Sequence, residues 1–372
     1  MDAPDPGFRR GESLTAKIIR RIRAEGPLSL AAFMAIALHD PKAGYYASRQ
    51  PLGGAGDFTT APEVSQIFGE LIGLWFADLW QRIGRPDPVN LVELGPGRGT
   101  LMTDLLRAAA IVPEFARALQ LWLVEASPVL REQQRHRLAD AAPRFASDLA
   151  EVSDGPLFLI ANEFLDALPV RQLVRGARDW AERLVTIDDE GKLAFRLGPE
   201  SPALTLLVPA VLLGSPQGSV VEISPAAAAL VGAVADRLAA APGAALFVDY
   251  GYVQYTTEPT LAAIRAHRPV DPLDRPGSAD LSTHVDFAAV MAAAAAAGAA
   301  VYGPLPQGQF LSALGARARL ERLLRLAPPE QGEALAAGLR RLIDPAQMGT
   351  LFNVIAVLSP GLPAPAGFGG GG

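Results

Sequence analysis

The segment from Val89 to Ala110 constrains the fold more than any other part of the chain. A short apolar run, Val89 to Leu94, is followed by a turn with glycine at positions 95, 97 and 99, and then by a helical pattern from Leu101 to Ala110. Glycine lets a backbone adopt conformations, and approach a ligand, in ways that a side chain would block. A strand, a glycine-rich turn and a helix in this order predict one unit of a parallel α/β sheet, with a ligand at the turn.

The same alternation continues along the next stretch of chain. Strands are predicted at Leu119 to Val124 and at Leu157 to Ala161, with a helix from about Pro128 to Ala141 between them. Strands that alternate with helices predict a parallel, doubly wound sheet. Three later strands are predicted at 219–223, 245–248 and 350–358.

The remaining segments depart from this alternation. Helical patterns precede it, and Ser29 and the capping-box spacing of Thr60 and Glu63 predict the starts of two helices. Residues 170–197 alternate around turn residues, which predicts an inserted β-hairpin. The predicted parts of the chain are an N-terminal helical cap with a cofactor lid at 1–88, the cofactor-binding half of the sheet at 89–169, a β-rich insertion at 170–218, the second half of the sheet with substrate-side loops and helices at 219–360, and a flexible tail at 361–372.

Composition excludes several kinds of function. The 372 residues carry a net charge of −6, whereas a general nucleic-acid binder has a basic excess, so no nucleic-acid partner is expected. Cysteine is absent, and the four histidines show no ligand spacing, so no metal site is expected. The N-terminus lacks the apolar core of a secretory signal, and no apolar stretch predicts membrane insertion. We therefore expect a cytoplasmic protein, or a matrix protein in a eukaryote, although no clear transit peptide is seen.

The glycine-rich turn distinguishes between two classes of cofactor. Dinucleotide-binding turns follow G-x-G-x-x-G, which requires glycine where this chain has Thr100. The chain has an acid two residues before alternating glycines, which resembles motif I of S-adenosylmethionine-dependent methyltransferases. That cofactor carries an ammonium, a carboxylate and a sulfonium, so an acid near the glycines is electrostatically favourable. The candidate cofactor-binding residues are Glu93, Gly95, Gly97, Gly99, Glu125, Asp148 and Asn162.

Two of these acids have specific expected roles. Glu125 ends the second strand, where a carboxylate can accept both ribose hydroxyl protons. Asp148 stands before the third strand, where it can meet the adenine edge. The alternative is that each is an ordinary solvated or capping residue.

A second set of polar residues follows the third predicted strand. Asn162 ends that strand, and Glu163 and Asp166 come directly after it. Carboxylates hold a guanidinium through paired hydrogen bonds, so these two are candidate catalytic residues for an arginine substrate. The alternative is that they cap and charge the first turn of a helix. A third candidate, Asp57, ends a glycine-rich loop at 53–57 that we interpret as a lid over the cofactor.

Several longer motifs resemble one known family in order along the chain. The motifs are Gly44-Tyr-Tyr, Gly56-Asp-Phe-Thr-Thr-Ala-Pro-Glu63, Phe68-Gly-Glu70, Glu93-Leu-Gly-Pro-Gly-Arg-Gly-Thr-Leu101, Ala161-Asn-Glu-Phe-Leu-Asp-Ala-Leu-Pro169, Asp249-Tyr-Gly251, Ala279-Asp-Leu-Ser-Thr-His-Val-Asp-Phe287 and Gln307-Gly-Gln-Phe-Leu311. Together they resemble the MidA family of class I methyltransferases, related to the mitochondrial complex I assembly methyltransferase. The chain departs from the family at Leu165, where a second Phe is frequent, and at Asn353, where a Lys is frequent.

The resemblance implies both a fold and an activity. The fold is α/β: a Rossmann-like class I methyltransferase fold with an N-terminal helical cap and an inserted β-rich lobe. The activity is S-adenosyl-L-methionine-dependent protein arginine methylation. In the mitochondrial relative the product is symmetric dimethylarginine, on a peripheral-arm subunit of NADH:ubiquinone oxidoreductase. Two alternatives stay open: a non-catalytic assembly factor that retains the cofactor pocket, and a small-molecule methyltransferase.

Overall fold

The computed structural model describes residues 12–48 and 60–369. The predicted lid at 53–57, with its candidate Asp57, lies outside these residues. The first half of the described chain contains α1 (Leu14–Glu25), β1 (Leu28–Ser29), α2 (Leu30–His39), α3 (Tyr45–Ser48), α4 (Ala61–Val64), α5 (Gln66–Arg82), β2 (Val89–Leu94), α6 (Thr100–Ala109), α7 (Pro113–Ala118), β3 (Leu119–Val124), α8 (Pro128–Arg137), β4 (Arg144–Ala146), β5 (Leu157–Asn162), β6 (Arg171–Arg175) and β7 (Trp180–Ile187).

The second half contains β8 (Leu193–Leu197), α9 (Pro202–Thr205), β9 (Val220–Ile223), α10 (Pro225–Ala240), β10 (Gly243–Tyr252), β11 (Ala262–Arg265), β12 (Arg268–Pro269), β13 (Asp280–Ser282), β14 (Val285–Asp286), α11 (Phe287–Ala296), β15 (Ala300–Pro306), α12 (Gln307–Ala313), α13 (Ala316–Leu324), α14 (Pro329–Ile343), α15 (Met348–Leu351) and β16 (Phe352–Leu358). None of the helices described here is both long and apolar enough to cross a membrane. The chain divides into two compact units: residues 12–48, 167–227 and 254–286 form one, and residues 60–166, 228–253 and 287–369 form the other.

The second unit is built on a mostly parallel sheet. Its strands lie in the order β15-β16-β10-β5-β2-β3-β4, and the neighbours from β10 to β4 are all parallel. β16 is antiparallel to both β10 and β15. The chain runs from β2 outward to β3 and β4 and then returns to the other side of β2 with β5, so the strand order reverses between β2 and β5. Ligands of open α/β sheets bind at such a reversal.

Two helices of this unit approach each other unusually closely. α5 buries one face against the core, with Trp75 and Phe76 almost fully enclosed. On its other face, a Cβ on Gly73 would overlap the carbonyl oxygen of Leu105 in α6, and a Cβ on Gly69 would stand 2.8 Å from the Leu101 carbonyl oxygen. Glycine is therefore required at both positions for α5 to lie against α6, the helix that follows the glycine-rich turn.

The first unit is built on an antiparallel sheet. Its strands pair in the order β1-β7-β6-β9, and β8 pairs with the other edge of β7. This arrangement contains the predicted hairpin insertion, since β6, β7 and β8 are successive antiparallel strands. The prediction that the α/β alternation resumes at residue 219 is wrong for this strand, because β9 pairs with β6 and not with the parallel sheet. Its apolar residues, Val220 and Val221, are buried in the inserted lobe.

Two local predictions need correction. Thr60 precedes the four-residue α4 but makes no capping hydrogen bond through its side chain; the long helix α5 begins later, capped by Ser65. The C-terminal tail is not free over its described part. The indole N–H of Trp75 donates to the carbonyl oxygen of Ala366 at 2.9 Å, and the ring of Phe368 packs 5.2 Å from that of Phe310. A proline-rich segment with one aromatic residue thus covers part of the core.

The close approach of α5 and α6 predicts a stability change. We expect Gly73→Ala to destabilise the protein by about 1–3 kcal/mol, because the added methyl must displace the backbone of α6. Gly232→Ala in α10 is the matched control: a Cβ there meets no atom within 4 Å, and removal of a helical glycine stabilises by about 0.5–1 kcal/mol. Urea unfolding of both variants measures the two changes. Equal stabilities would show that the helices separate without cost.

Candidate active site

The glycine-rich turn joins β2 to α6 through three left-handed residues. The φ angles of Gly95, Gly97 and Gly99 are +61°, +52° and +76°. At Gly95 a Cβ would stand only 2.7 Å from Cδ2 of Phe164, a residue of the turn that follows β5. The three glycines are thus required by backbone conformation, and Gly95 also by the close packing of the two turns at the reversal of the sheet.

These two turns and α4 surround one pocket, which encloses about 420 Å³ including its open mouth. Its lining residues are Thr60, Pro62, Glu63, Glu93, Gly95, Pro96, Gly97, Arg98, Thr100, Leu101, Asn162 and Glu163. Five of the predicted site residues are therefore brought together: Glu93, Gly95, Gly97, Asn162 and Glu163.

Glu93 is the most strongly perturbed acid of the pocket. Its side chain is buried, and its Oε2 has no hydrogen-bond partner among the described residues. Burial, with a smaller contribution from the charge of Glu125, raises the pKa of Glu93 to about 8. The Oδ1 of Asn162 is likewise buried without a partner. Two acceptors without donors on residues that line the same pocket are suited to a ligand that carries N–H or cationic groups.

Glu125 lies outside the pocket lining but is linked to it. Its Oε1 accepts from the backbone N–H of Ser127 at 2.8 Å, and its Oε2 accepts from Nε2 of Gln134 at 3.2 Å. The same Nε2 donates to the carbonyl oxygen of Gly97 at 2.6 Å. Gln134 is fully buried in α8 and so fixes Glu125 relative to the glycine-rich turn. Sequence reasoning missed Gln134, because nothing distinguishes it from the adjacent Gln133.

Three other predicted residues do not line the pocket. Gly99 is the residue before α6. Asp148 is exposed and caps a short 3₁₀ turn, where its Oδ1 accepts from the backbone N–H of Ala150 at 2.8 Å. This is the capping alternative that the sequence left open for Asp148. Asp166 interacts electrostatically with Glu163 and Asp249, around the turn that follows β5.

That acidic group is centred on the turn after β5. Glu163 adopts a left-handed backbone with φ +51°, which is uncommon for a residue with a side chain. Its Oε1 accepts at 3.2 Å from both the backbone N–H of Ala61 and Nδ2 of Asn162. Burial is the largest cause that raises the pKa of Glu163 to about 7, and the charge of Asp166 adds to it. Such a carboxyl changes charge near neutral pH.

Asp249 holds this turn in place from β10. Its Oδ2 accepts from the backbone N–H groups of Phe164, Leu165 and Asp166 at 3.1, 2.8 and 3.3 Å. Burial, followed by the charges of Asp166 and Glu163, raises the pKa of Asp249 well above its ordinary value. The sequence motif around Asp249 matched the family, but no spacing rule connected it with Glu163, 86 positions earlier in the chain.

Sequence reasoning also missed the part of the pocket lining formed by Glu63, Arg98 and Thr100. The hydroxyl of Thr100 donates to Oε1 of Glu63 at 2.5 Å, which ties α4 to the start of α6. Arg98 lines the pocket between Gly97 and Gly99. Over residues 12–48 and 60–369, no three histidine, aspartate or glutamate side chains gather as metal ligands.

Comparison with known proteins assigns the chain to a family. A sequence model of the family described as "Putative S-adenosyl-L-methionine-dependent methyltransferase" matches residues 71–305. The chain belongs to this family. A Drosophila melanogaster member, named protein arginine methyltransferase NDUFAF7 homolog, mitochondrial, is 37% identical, and the match covers 94% of this chain and 85% of that protein. The human protein arginine methyltransferase NDUFAF7, mitochondrial, is 35% identical over 92% of this chain and 82% of its own.

A solved structure agrees with this assignment. A Burkholderia thailandensis protein described as a "likely methyl transferase", bound to S-adenosyl-homocysteine, is 32% identical; the match has a TM-score of 0.83 and covers 95% of this chain and 93% of that one. The predicted family, the class I methyltransferase fold and the cofactor S-adenosyl-L-methionine are therefore confirmed. The names of the animal members place those proteins in mitochondria, so they do not support the predicted cytoplasmic location.

The pocket of this methyltransferase is suited to its cofactor. The ammonium of S-adenosyl-L-methionine can donate to the partnerless Oε2 of Glu93 and Oδ1 of Asn162. A bound cation also opposes the burial that raises the pKa of Glu93. The glycine-rich turn provides a wall without side chains at Gly95 and Gly97. The residues present therefore fit the cofactor that the family requires.

The pKa of Glu93 predicts a pH dependence of stability. An acid whose folded pKa is raised from 4.5 to about 8 stabilises the cofactor-free protein below pH 4.5, and this contribution is lost as the pH rises towards 8. We expect the melting temperature of the cofactor-free protein to fall more between pH 5 and pH 8 than that of Glu93→Gln, which cannot ionise.

Calorimetry at several pH values measures this difference. The matched control is Glu190→Gln, at an exposed ion pair with Lys192, which leaves the wild-type slope unchanged. Parallel curves for the wild type and Glu93→Gln would mean that Glu93 titrates normally in the folded state.

Proposed function

We propose that the chain is an S-adenosyl-L-methionine-dependent protein arginine methyltransferase that modifies a subunit of NADH:ubiquinone oxidoreductase during assembly. One observation carries the choice of a cationic acceptor: Glu163, Asp166 and Asp249 gather around one turn, and Glu163 lines the cofactor pocket. The names of relatives matched over most of this chain support arginine as the acceptor. The oxidoreductase as target rests on the resemblance to the MidA family.

Glu163 is the residue proposed to contact the acceptor. Its carboxylate would orient the guanidinium through paired hydrogen bonds. The cofactor supplies a methyl group on a sulfonium, a good leaving group. As a guanidinium nitrogen takes up the methyl, that nitrogen must lose one proton, and a carboxylate with a pKa of about 7 can accept it. The protein therefore contributes positioning and electrostatics.

Asp166 and Asp57 have supporting roles in this proposal. Asp166 is nearly buried, and its charge acts on both Glu163 and Asp249, so it adds to the field that attracts a cation. Asp57 lies on the loop outside the described residues and is retained as a second candidate for the guanidinium. We also propose that 89–169 binds the cofactor, with Glu125 on the ribose; Asp148 is kept as the proposed residue at the adenine edge, although its Oδ1 caps a 3₁₀ turn. We propose that 170–218 forms the β-rich lobe, to which β9 also belongs. The rest of 219–360 would provide the second half of the parallel sheet and the loops and helices on the substrate side.

The proposed compartment follows from the target. A bacterial enzyme would act on the oxidoreductase subunit in the cytoplasm, and a eukaryotic one in the mitochondrial matrix. The names of the relatives, which are mitochondrial proteins, support the mitochondrial location for a eukaryotic enzyme. We propose no nucleic-acid partner, because the net charge of −6 would repel a polyanion.

Glu163→Gln is expected to lower kcat for methyl transfer by at least about 10²-fold, the usual contribution of a positioned acid or base. The substitution keeps the hydrogen bond from Ala61 and removes the charge. Measuring kcat at saturating cofactor separates a loss of methyl transfer from a loss of cofactor binding. The wild-type rate should rise with pH through about 7, where Glu163 ionises, and the variant should lose that rise. Glu190→Gln serves again as the control at an exposed site.

The assay is transfer of tritiated methyl groups from the cofactor into lysate of a strain that lacks the protein, followed by mass spectrometry of the oxidoreductase subunits. The proposal predicts label in one subunit, at arginine. Label confined to small molecules would identify the small-molecule methyltransferase. Cofactor binding without transfer to any acceptor would identify the non-catalytic assembly factor.

A further inference from the structure

The charges that line the cofactor pocket are unequally distributed. Three carboxyl groups line it, those of Glu63, Glu93 and Glu163, and among the described lining residues Arg98 is the one cation. S-adenosyl-L-methionine carries two positive groups and one carboxylate. The carboxyl groups suit the ammonium and the sulfonium, but none of them suits the cofactor's own carboxylate.

Arg98 is held where it can meet such a group. It lies between two glycines with left-handed backbones, Gly97 and Gly99, and its carbonyl oxygen accepts from Nη1 of Arg137 at 3.2 Å. Its backbone is therefore fixed by the same turn that shapes the pocket. The side chain of Arg98 is nearly half exposed, at 44%. It can turn towards a ligand without a large desolvation cost.

The nearest acid does not occupy the guanidinium. Nη1 of Arg98 is 4.0 Å from Oε2 of Glu63, which is too long for a hydrogen bond. Oε1 of Glu63 accepts from the hydroxyl of Thr100 at 2.5 Å, and that hydroxyl in turn accepts from Nη1 of Arg137 at 2.7 Å. Within the described chain, the donors of Arg98 are thus left for another acceptor.

The start of α6 adds to the same preference. Gly99 precedes this ten-residue helix and provides no capping hydrogen bond, and the first turn contains no acid. The positive end of the helix dipole faces the pocket at Thr100 and Leu101 and favours an anion there; the neighbouring acid, Glu63, is bound through its Oε1 to the Thr100 hydroxyl. Elsewhere in the pocket, Oε2 of Glu93 and Oδ1 of Asn162 have no hydrogen-bond partner among the described residues and can accept from an ammonium.

We propose that Arg98 binds the carboxylate of the cofactor's methionine portion, and that it is the residue that selects a zwitterionic amino acid at this end of the pocket. Acceptors for an ammonium and a donor for a carboxylate then lie in one pocket. The inference depends on the cofactor of the family and not on the identity of the methyl acceptor. Its test uses binding alone, so it can fail while the proposed function stands.

The test compares two ligands that differ by one group, S-adenosyl-L-methionine and its decarboxylated analogue. By titration calorimetry, Arg98→Gln should weaken the binding of S-adenosyl-L-methionine by about 10–30-fold, the usual effect of a lost charge-assisted hydrogen bond. The analogue lacks the carboxylate, so its dissociation constant should change less than threefold. Arg98→Lys should give an intermediate loss, since an ammonium cannot form the paired bonds of a guanidinium.

Arg82→Gln is the matched control, an exposed arginine on α5 paired with Asp78. It should leave both dissociation constants unchanged. Equal weakening of both ligands by Arg98→Gln would overturn the proposal and indicate that Arg98 only shapes the turn. No weakening of either ligand would also overturn it and assign the carboxylate to the start of α6. The fitted stoichiometry of each titration reports the folded fraction, so a misfolded variant is recognised directly.

Discussion

The parallel pairing of β2 with β5 is the constraint on which the rest of the site depends. It places the turn after β2 and the turn after β5 side by side at the point where the strand order reverses. Gly95 lies against Phe164 because no side chain keeps the two turns apart. The cofactor glycines and the acidic group around Glu163 come from sequence segments about 60 residues apart, and this single strand pair brings them together.

The site also contains several carboxyl groups that form no ion pair within the described residues. Glu93, Glu163 and Asp249 are all buried enough for their pKa values to rise, and none of the three has an ion-pair partner among the described residues. In the cofactor-free protein this arrangement costs stability, as buried charges without partners do. A cationic cofactor and a cationic acceptor would both relieve that cost. The electrostatic cost of these buried carboxyl groups therefore favours the binding of the proposed cationic ligands.

Sequence reasoning succeeded where local geometry fixes the structure. The strand bounds at 119–124 and the left-handed glycines follow from apolar length and backbone conformation. It failed where pairing is decided by distant partners. The strand Val220–Ile223 has the composition of a buried parallel strand, yet it pairs antiparallel with β6 in the inserted lobe. Gln134 and Asp249 act through hydrogen bonds to residues far along the chain, which no spacing rule predicts.

Thr100 shows how one residue can both exclude a cofactor class and build a pocket. A dinucleotide turn needs glycine at this position for close packing of helix on strand. Here the side chain of Thr100 donates to Glu63 and accepts from Arg137, so it connects α4, α6 and α8. The hydroxyl holds one oxygen of Glu63 and thereby keeps that acid from pairing fully with Arg98. The departure from the dinucleotide pattern is thus the same feature that leaves a guanidinium available for the carboxylate of an amino acid.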